Sequence, residues 1–255
     1  MIYGEYSSPI SISKDISMSY DRFNNMSKLD IIKSCWLSLQ DGLTTDDTIH
    51  LLAVKVDEEL LAWLKSTCKA SMVVKDMPAM SEHTPPYGEH PYKEYHEVRV
   101  NHFIPQYKYI FEVIEQNHSD DYYVCLDDYL HRPNSINNIK EFLKTHKDFF
   151  LVPYEYSDFY FSEHRFTEMF ISNQGYFRKT NSATPTIAAN GKVWMYFKYY
   201  ILRASVFADD SWTHRAFNIV KALTPLPAWS THLQNGCLSP FIDWAQVSNH
   251  YLKNK

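Results

Sequence analysis

The sequence predicts an α/β protein, a single domain with a mostly parallel central sheet flanked by helices. Short apolar runs alternate with stretches of helical periodicity, the order that builds a parallel sheet. Ile49 to Val56 and Tyr122 to Leu126 are continuous apolar or aromatic runs, suited to strands buried on both faces. A chain of 255 residues with no break in composition is long enough for one sizeable core.

Taken in order, Ile2 to Ile12 is a weak strand interrupted by Ser and Pro. Ser27 caps a helix through Leu29, Ile32, Trp36 and Leu39 that ends near Asp41 and Gly42. After the strand Ile49 to Val56, Asp57 caps a helix bearing Leu60, Leu61 and Leu64. Met72 to Asp76 is a further short strand. Residues 78 to 91, rich in Pro, His and Glu, lack apolar periodicity and form a loop long enough to act as a lid. His83, His90 and His96 near it lack the i, i+4 spacing of a zinc-binding helix. Asn101 through Glu115 has helical spacing in Phe103, Tyr107, Ile110, Phe111 and Ile114. The buried strand Tyr122 to Leu126 then runs into Asp127 and Asp128, and Pro133 starts a helix with Ile136, Ile139, Phe142 and Leu143 on one face. Asp148 to Pro153 is the next strand, followed by a polar aromatic loop over 154 to 158. Gly175 to Lys179 and Thr184 to Ala189 form two more strands, and Val193 to Phe207 a helix. Asp209, Asp210 and Ser211 open another helix through Phe217, Ile219, Val220 and Leu223. Beyond Pro225 to Pro227 come Trp229 to His232, a loop through Gly236, and a final helix from Ser239 bearing Phe241, Trp244 and Val247.

Composition narrows the function classes. The formal net charge of -5, from 25 basic and 30 acidic residues, provides no basic stripe and argues against nucleic acid as the main partner. Cys35, Cys68, Cys125 and Cys237 have neither paired nor metal spacing and read as buried thiols of a reducing, cytoplasmic compartment. There is no basic-then-apolar leader and no apolar run of bilayer length, which excludes a transmembrane segment and leaves peripheral membrane contact open. Tyr and Phe are abundant, but an A/T-rich genome favours both, so no function is drawn from them.

Chemistry concentrates at Asp127 and Asp128. Acidic residues at the carboxyl end of a buried parallel strand lie where open α/β sheets bind ligands. Two adjacent carboxylates repel each other, and a divalent cation removes the conflict. The same pair could instead cap the following helix or end the strand in a solvated turn.

The run Leu126-Asp127-Asp128-Tyr129-Leu130-His131-Arg132-Pro133 resembles the acidic metal motif of GT-A glycosyltransferases, a Rossmann-like fold. The similar members are a bacterial and viral group in which an acidic pair precedes Tyr-Leu-His and Pro; Leu126 stands where that group usually carries Glu. The resemblance implies a metal-dependent, inverting glycosyltransferase of glycan, polysaccharide or glycoconjugate biosynthesis. Its partners would be a nucleotide-sugar donor, bound by the half spanning about 1–133, and a hydroxyl acceptor, bound by about 134–255. It further implies Mn²⁺ or Mg²⁺ at Asp127 and Asp128, with His232 as a further ligand. Asp57 and Asn101 would contact the nucleotide, and Arg178 or Lys179 the diphosphate. Asp209 or Asp210 would be the base that deprotonates the acceptor, with Glu155 and Asp158 as secondary candidates near the acceptor. From local sequence alone, Asp57, Asn101 and the Asp209-Asp210 pair also suit helix caps, and one aspartate of that pair could cap while the other catalyses. Two alternatives follow: a non-catalytic GT-A-like binding or interaction module, and a sugar nucleotidyltransferase. The latter usually carries a Gly-rich basic signature that Met1 to Gly42 lacks.

Overall fold

The computed structural model describes residues 2–7, 23–54, 56–77, 92–155, 168–181, 186–207 and 211–253. Its amino-terminal part is built from strand β1 (Ile2–Ser7), helix α1 (Lys28–Gln40), β2 (Thr48–Val54), α2 (Glu58–Thr67), β3 (Ser71–Asp76), α3 (Tyr92–Gln116) and β4 (Asp121–Leu126). There follow β5 (Tyr129–His131), α4 (Ser135–Thr145), β6 (Phe150–Leu151), β7 (Met169–Ser172), β8 (Gly175–Thr180) and β9 (Ile187–Asn190). The chain continues through α5 (Gly191–Tyr196), α6 (Lys198–Phe207), α7 (Ser211–Ile219), β10 (Ala222–Leu226), β11 (Ser230–His232) and α8 (Trp244–Lys253).

Nine strands form one sheet in the order β3-β2-β1-β4-β9-β6-β10-β8-β7. Strands β3, β2, β1 and β4 are mutually parallel. On the other side, β9 lies antiparallel between β4 and β6, and β8 runs antiparallel between β10 and β7. The sheet is therefore mixed by pairing, although all strands other than β8 and β9 point the same way. The chain winds outward from β1 to β3 and then crosses to β4 on the other side of β1. That reversal is a topological switch point, and its crevice opens at the carboxyl ends of β1 and β4.

Strand β4 explains why its sequence is continuously apolar. Tyr123 and Cys125 pack into one core cluster with Ile49, Leu51 and Leu151, while Tyr122 and Val124 pack into another with Leu52, Phe111 and Phe150. Both faces are packed against apolar side chains, which selects an apolar run. Ser27 and Asp57 do cap α1 and α2: Ser27 Oγ accepts from Asp30 N, and Asp57 Oδ1 from Leu60 N at 2.8 Å. Each supplies an acceptor to an otherwise unpaired helical N–H.

Several expectations are corrected. Helix α3 begins at Tyr92, well before Asn101, so Asn101 lies inside the helix. Pro105, inside the same helix, has no N–H to donate to the Asn101 carbonyl four residues back. Val193 to Phe207 divides into two helices at Phe197, and Leu223 belongs to β10 rather than α7. Helix α4 starts at Ser135, and α8 at Trp244. The two short strands β5 and β11 pair as an antiparallel ribbon that the sequence did not announce.

Candidate functional site

The acidic corner follows β4 directly, at the switch-point crevice. From there the chain enters β5, whose partner β11 brings His232 opposite Tyr129, one residue beyond Asp128. The backbone pairing extends to the corner itself, since Leu233 N donates to Asp128 O at 2.9 Å. The imidazole stacks on Tyr129 at 5.1 Å with 6° between the rings. Tyr129 in turn meets Tyr154 edge-on, and the Tyr154 hydroxyl donates to Cys237 O. With its ring position fixed in this way, His232 Nε2 lies 3.0 Å from Asp128 Oδ2.

Burial disfavours a charged Asp128, but the hydrogen bond and charge of His232, together with the Lys28 ammonium, overcome it and hold the carboxyl at about 2. Asp128 is thus ionised at neutral pH and can only accept, so His232 Nε2 carries the shared proton and donates it. As the site stands, that nitrogen is not free for a metal. The other oxygen, Asp128 Oδ1, is buried and has no hydrogen-bond partner of good geometry among the described residues.

Asp127 has a different partner. Lys28, the first residue of α1, places its ammonium 3.1 Å from Asp127 Oδ2. Burial alone would lower the Lys28 pKa, but the charges of Asp127 and Asp128 raise it on balance. The corner therefore contains two carboxylates, one ammonium and one imidazole donor. No sequence signal marked Lys28, because only the packing of α1 against the ribbon brings it there.

A buried polar knot holds α1 and the ribbon together. His131 is fully buried, and burial lowers its pKa to about 3, so its ring is neutral. Ser38 Oγ donates to Cys35 O at 2.7 Å, which leaves it an acceptor for both His131 N and His131 Nδ1. Nδ1 therefore carries the ring proton, and Nε2 accepts from the Tyr123 hydroxyl at 2.7 Å. Just beneath Asp127, a cavity of about 30 Å³ lies among Leu39, Leu51, Leu64, Cys125 and Leu126. It is far below the size of a ligand pocket.

The remaining candidates are spread over the fold. Asp57 sits at the same sheet edge as the corner, after β2, and caps α2. Arg178 Nε lies 2.5 Å from Glu155 Oε1, with 7% and 1% of the two side chains exposed, so the guanidinium is committed to a buried ion pair. Strand β8, which carries Arg178 and Lys179, is four strands from β4, roughly 19 Å across the sheet. Lys179 pairs with Leu223 near the start of β10, toward the edge away from the corner. Across the sheet, then, Arg178 and Lys179 stand on a strand apart from the one that carries the acidic pair. Asp209, Asp210, Asp158 and the Asn101 side chain lie outside the described residues, as do His83 and His90 and the side chain of His96.

The residue types at the corner suit a hard divalent cation, and Asp128 Oδ1, without a hydrogen-bond partner of good geometry among the described residues, fits one. Asp127 could join it only on release from Lys28. Among the described residues, no three His, Cys, Asp or Glu side chains are grouped as a ready metal centre. No described helix is long and apolar enough to cross a membrane.

No protein-family model matches the sequence, and no curated protein matches it. Among solved structures, the UTP-bound UGPase from Acinetobacter baumannii is similar at 10% identity and a TM-score of 0.49, over 100% of this chain and 93% of that one. The 4-diphosphocytidyl-2C-methyl-D-erythritol synthase from Anaerococcus prevotii has 12% identity and a TM-score of 0.45, over 99% and 95%. S. aureus TarS 1–349 has 9% identity and a TM-score of 0.45, over 90% of this chain and 58% of that one. Likenesses this distant carry no argument about chemistry, and the α/β assignment rests on the strand order itself.

Proposed function

We propose that this chain is a glycosyltransferase that binds a nucleotide-sugar donor in the crevice between β1 and β4 and passes the sugar to a hydroxyl acceptor. The observation that carries the reading is the Asp127-Asp128 corner at the switch point, with Asp128 Oδ1 buried and without a hydrogen-bond partner of good geometry among the described residues. The donor would lie over the parallel half, about 1–133, and the acceptor over 134–255.

Asp128 would hold Mn²⁺ or Mg²⁺, joined by Asp127 once Lys28 lets go. A metal there would serve as a Lewis acid that offsets charge on the departing diphosphate. The chain's own residues set up that site. His232 and Lys28 keep Asp128 ionised, the Tyr129 stack fixes the imidazole, and the His131 knot holds α1 against the ribbon. Asp57, at the same edge, would contact the nucleoside with the carboxylate oxygen that does not cap α2. Asp209 or Asp210, which precede α7 in the sequence, would take the acceptor's proton as its oxygen bonds to the anomeric carbon and the nucleoside diphosphate leaves. Such a base contributes about 10²–10⁴-fold.

Phosphorus NMR of the protein with Mn²⁺, a panel of UDP-, GDP-, CDP- and dTDP-sugars and hydroxyl acceptors tests the reaction. Release of one nucleoside diphosphate with acceptor modification is expected. Pyrophosphate released from a nucleoside triphosphate and a sugar phosphate would replace this reading with nucleotidyl transfer. Donor binding without turnover would leave a binding module.

A further inference from the structure

Lys28 sits where a divalent cation is expected. Its ammonium contacts Asp127 at 3.1 Å and also contributes to the lowered pKa of Asp128, so one cation already serves both carboxylates. It comes from the first turn of α1, whose dipole adds positive potential on the same side. A divalent ion approaching Asp128 Oδ1 alone would meet this like charge within a few ångströms. A lysine, however, is a flexible stem with a mobile point charge and three donors. It can exchange a carboxylate for a phosphate oxygen without moving the helix.

We infer that Lys28 occupies the cation's place in the ligand-free protein and passes from Asp127 to the donor's diphosphate when metal binds. The consequence is ordered assembly. Metal alone binds weakly because it must displace an ammonium, whereas metal and diphosphate together bind well because the diphosphate gives that ammonium a new partner. This deepens the donor-site reading and rests on it, yet its first half concerns the metal alone and can be tested without nucleotide.

The experiment is a calorimetric titration of Mn²⁺ into the full chain without nucleotide, for wild type, Lys28→Met and Lys28→Arg. Removing a like charge at this range should tighten Mn²⁺ binding by about tenfold or more in Lys28→Met. Lys28→Arg, which keeps the charge, should behave as wild type, and adding Asp128→Asn to Lys28→Met should remove the gain. Lys28→Gln serves the same purpose if the methionine variant does not fold. Equal Mn²⁺ affinity in wild type and Lys28→Met, or no Mn²⁺ binding by either, would overturn the inference. A second titration adds UDP, GDP, CDP or dTDP at saturating Mn²⁺. One nucleotide should bind wild type about tenfold tighter than Lys28→Met, because only wild type can move an ammonium to the diphosphate. Equal nucleotide affinities would overturn the exchange of partners while leaving the donor site standing. A gain in Mn²⁺ affinity with no binding of any nucleotide would identify a failure of the donor reading, and the exchange would fall with it.

Discussion

His131 and His232 lie on opposite strands of the same short ribbon, yet the fold uses them in contrary ways. His131 is fully buried, neutral, and hydrogen-bonded through both ring nitrogens to Ser38 and Tyr123. His232 keeps 23% of its side chain exposed, stacks on Tyr129 and donates to a carboxylate whose other oxygen has no donor of good geometry among the described residues. One ring completes a satisfied network and the other leaves a network open for a ligand. Satisfaction of hydrogen bonds, more than residue type or position, separates the two histidines.

That contrast can be broken by substitution. His131→Ala removes a buried ring and leaves the Tyr123 hydroxyl without its acceptor. It should cost about 3–5 kcal/mol of stability, read by urea unfolding. His232→Ala, at a site about a quarter exposed, should cost less, about 1.5–2 kcal/mol in the same assay, while weakening donor binding. Equal losses of stability would erase the distinction. Arg178→Met removes one partner of the buried Arg178–Glu155 ion pair and should cost about 3 kcal/mol. Nucleotide affinity of the folded fraction should not change, because β8 is four strands from the corner; a parallel loss of affinity would return Arg178 to the donor site.

Acid sharpens the comparison. The pKa of His131 is lowered from 6.5 in the unfolded chain to about 3 in the folded protein, so between those values the unfolded state binds the extra proton. Its contribution to stability is complete above pH 6.5 and is lost as pH falls toward 3. The decline in urea midpoint over that window should be shallower in His131→Gln than in wild type. The smallest expected effect is at Ser27, where Ser27→Ala removes the α1 cap and should lower stability by about 1 kcal/mol. Thermal unfolding would show it.

The sequence exposes those parts of the fold that local chemistry determines. The caps at Ser27 and Asp57 and the double-buried run of β4 are readable because each rests on a few adjacent residues. Helix α3 extends back to Tyr92 through a largely polar stretch that the apolar spacing from Phe103 onward does not mark. The ribbon β5–β11 escapes notice because two three-residue strands containing His are too short to show a period. At the site, the acidic pair is legible from its place after a buried strand, and its pairing with His232 becomes visible only through the ribbon. Lys28 has no local signature at all, and Arg178 looked available because its buried partner Glu155 is distant in sequence.

The measurement that bears most directly on the donor site is calorimetric titration of UDP, GDP, CDP and dTDP with and without Mn²⁺, on wild type and Asp128→Ala. The expected result is metal-dependent binding of one nucleotide that is lost in the variant. Failure of every nucleotide to bind wild type, or undiminished binding by Asp128→Ala, would contradict the assignment of the acidic corner as a donor site.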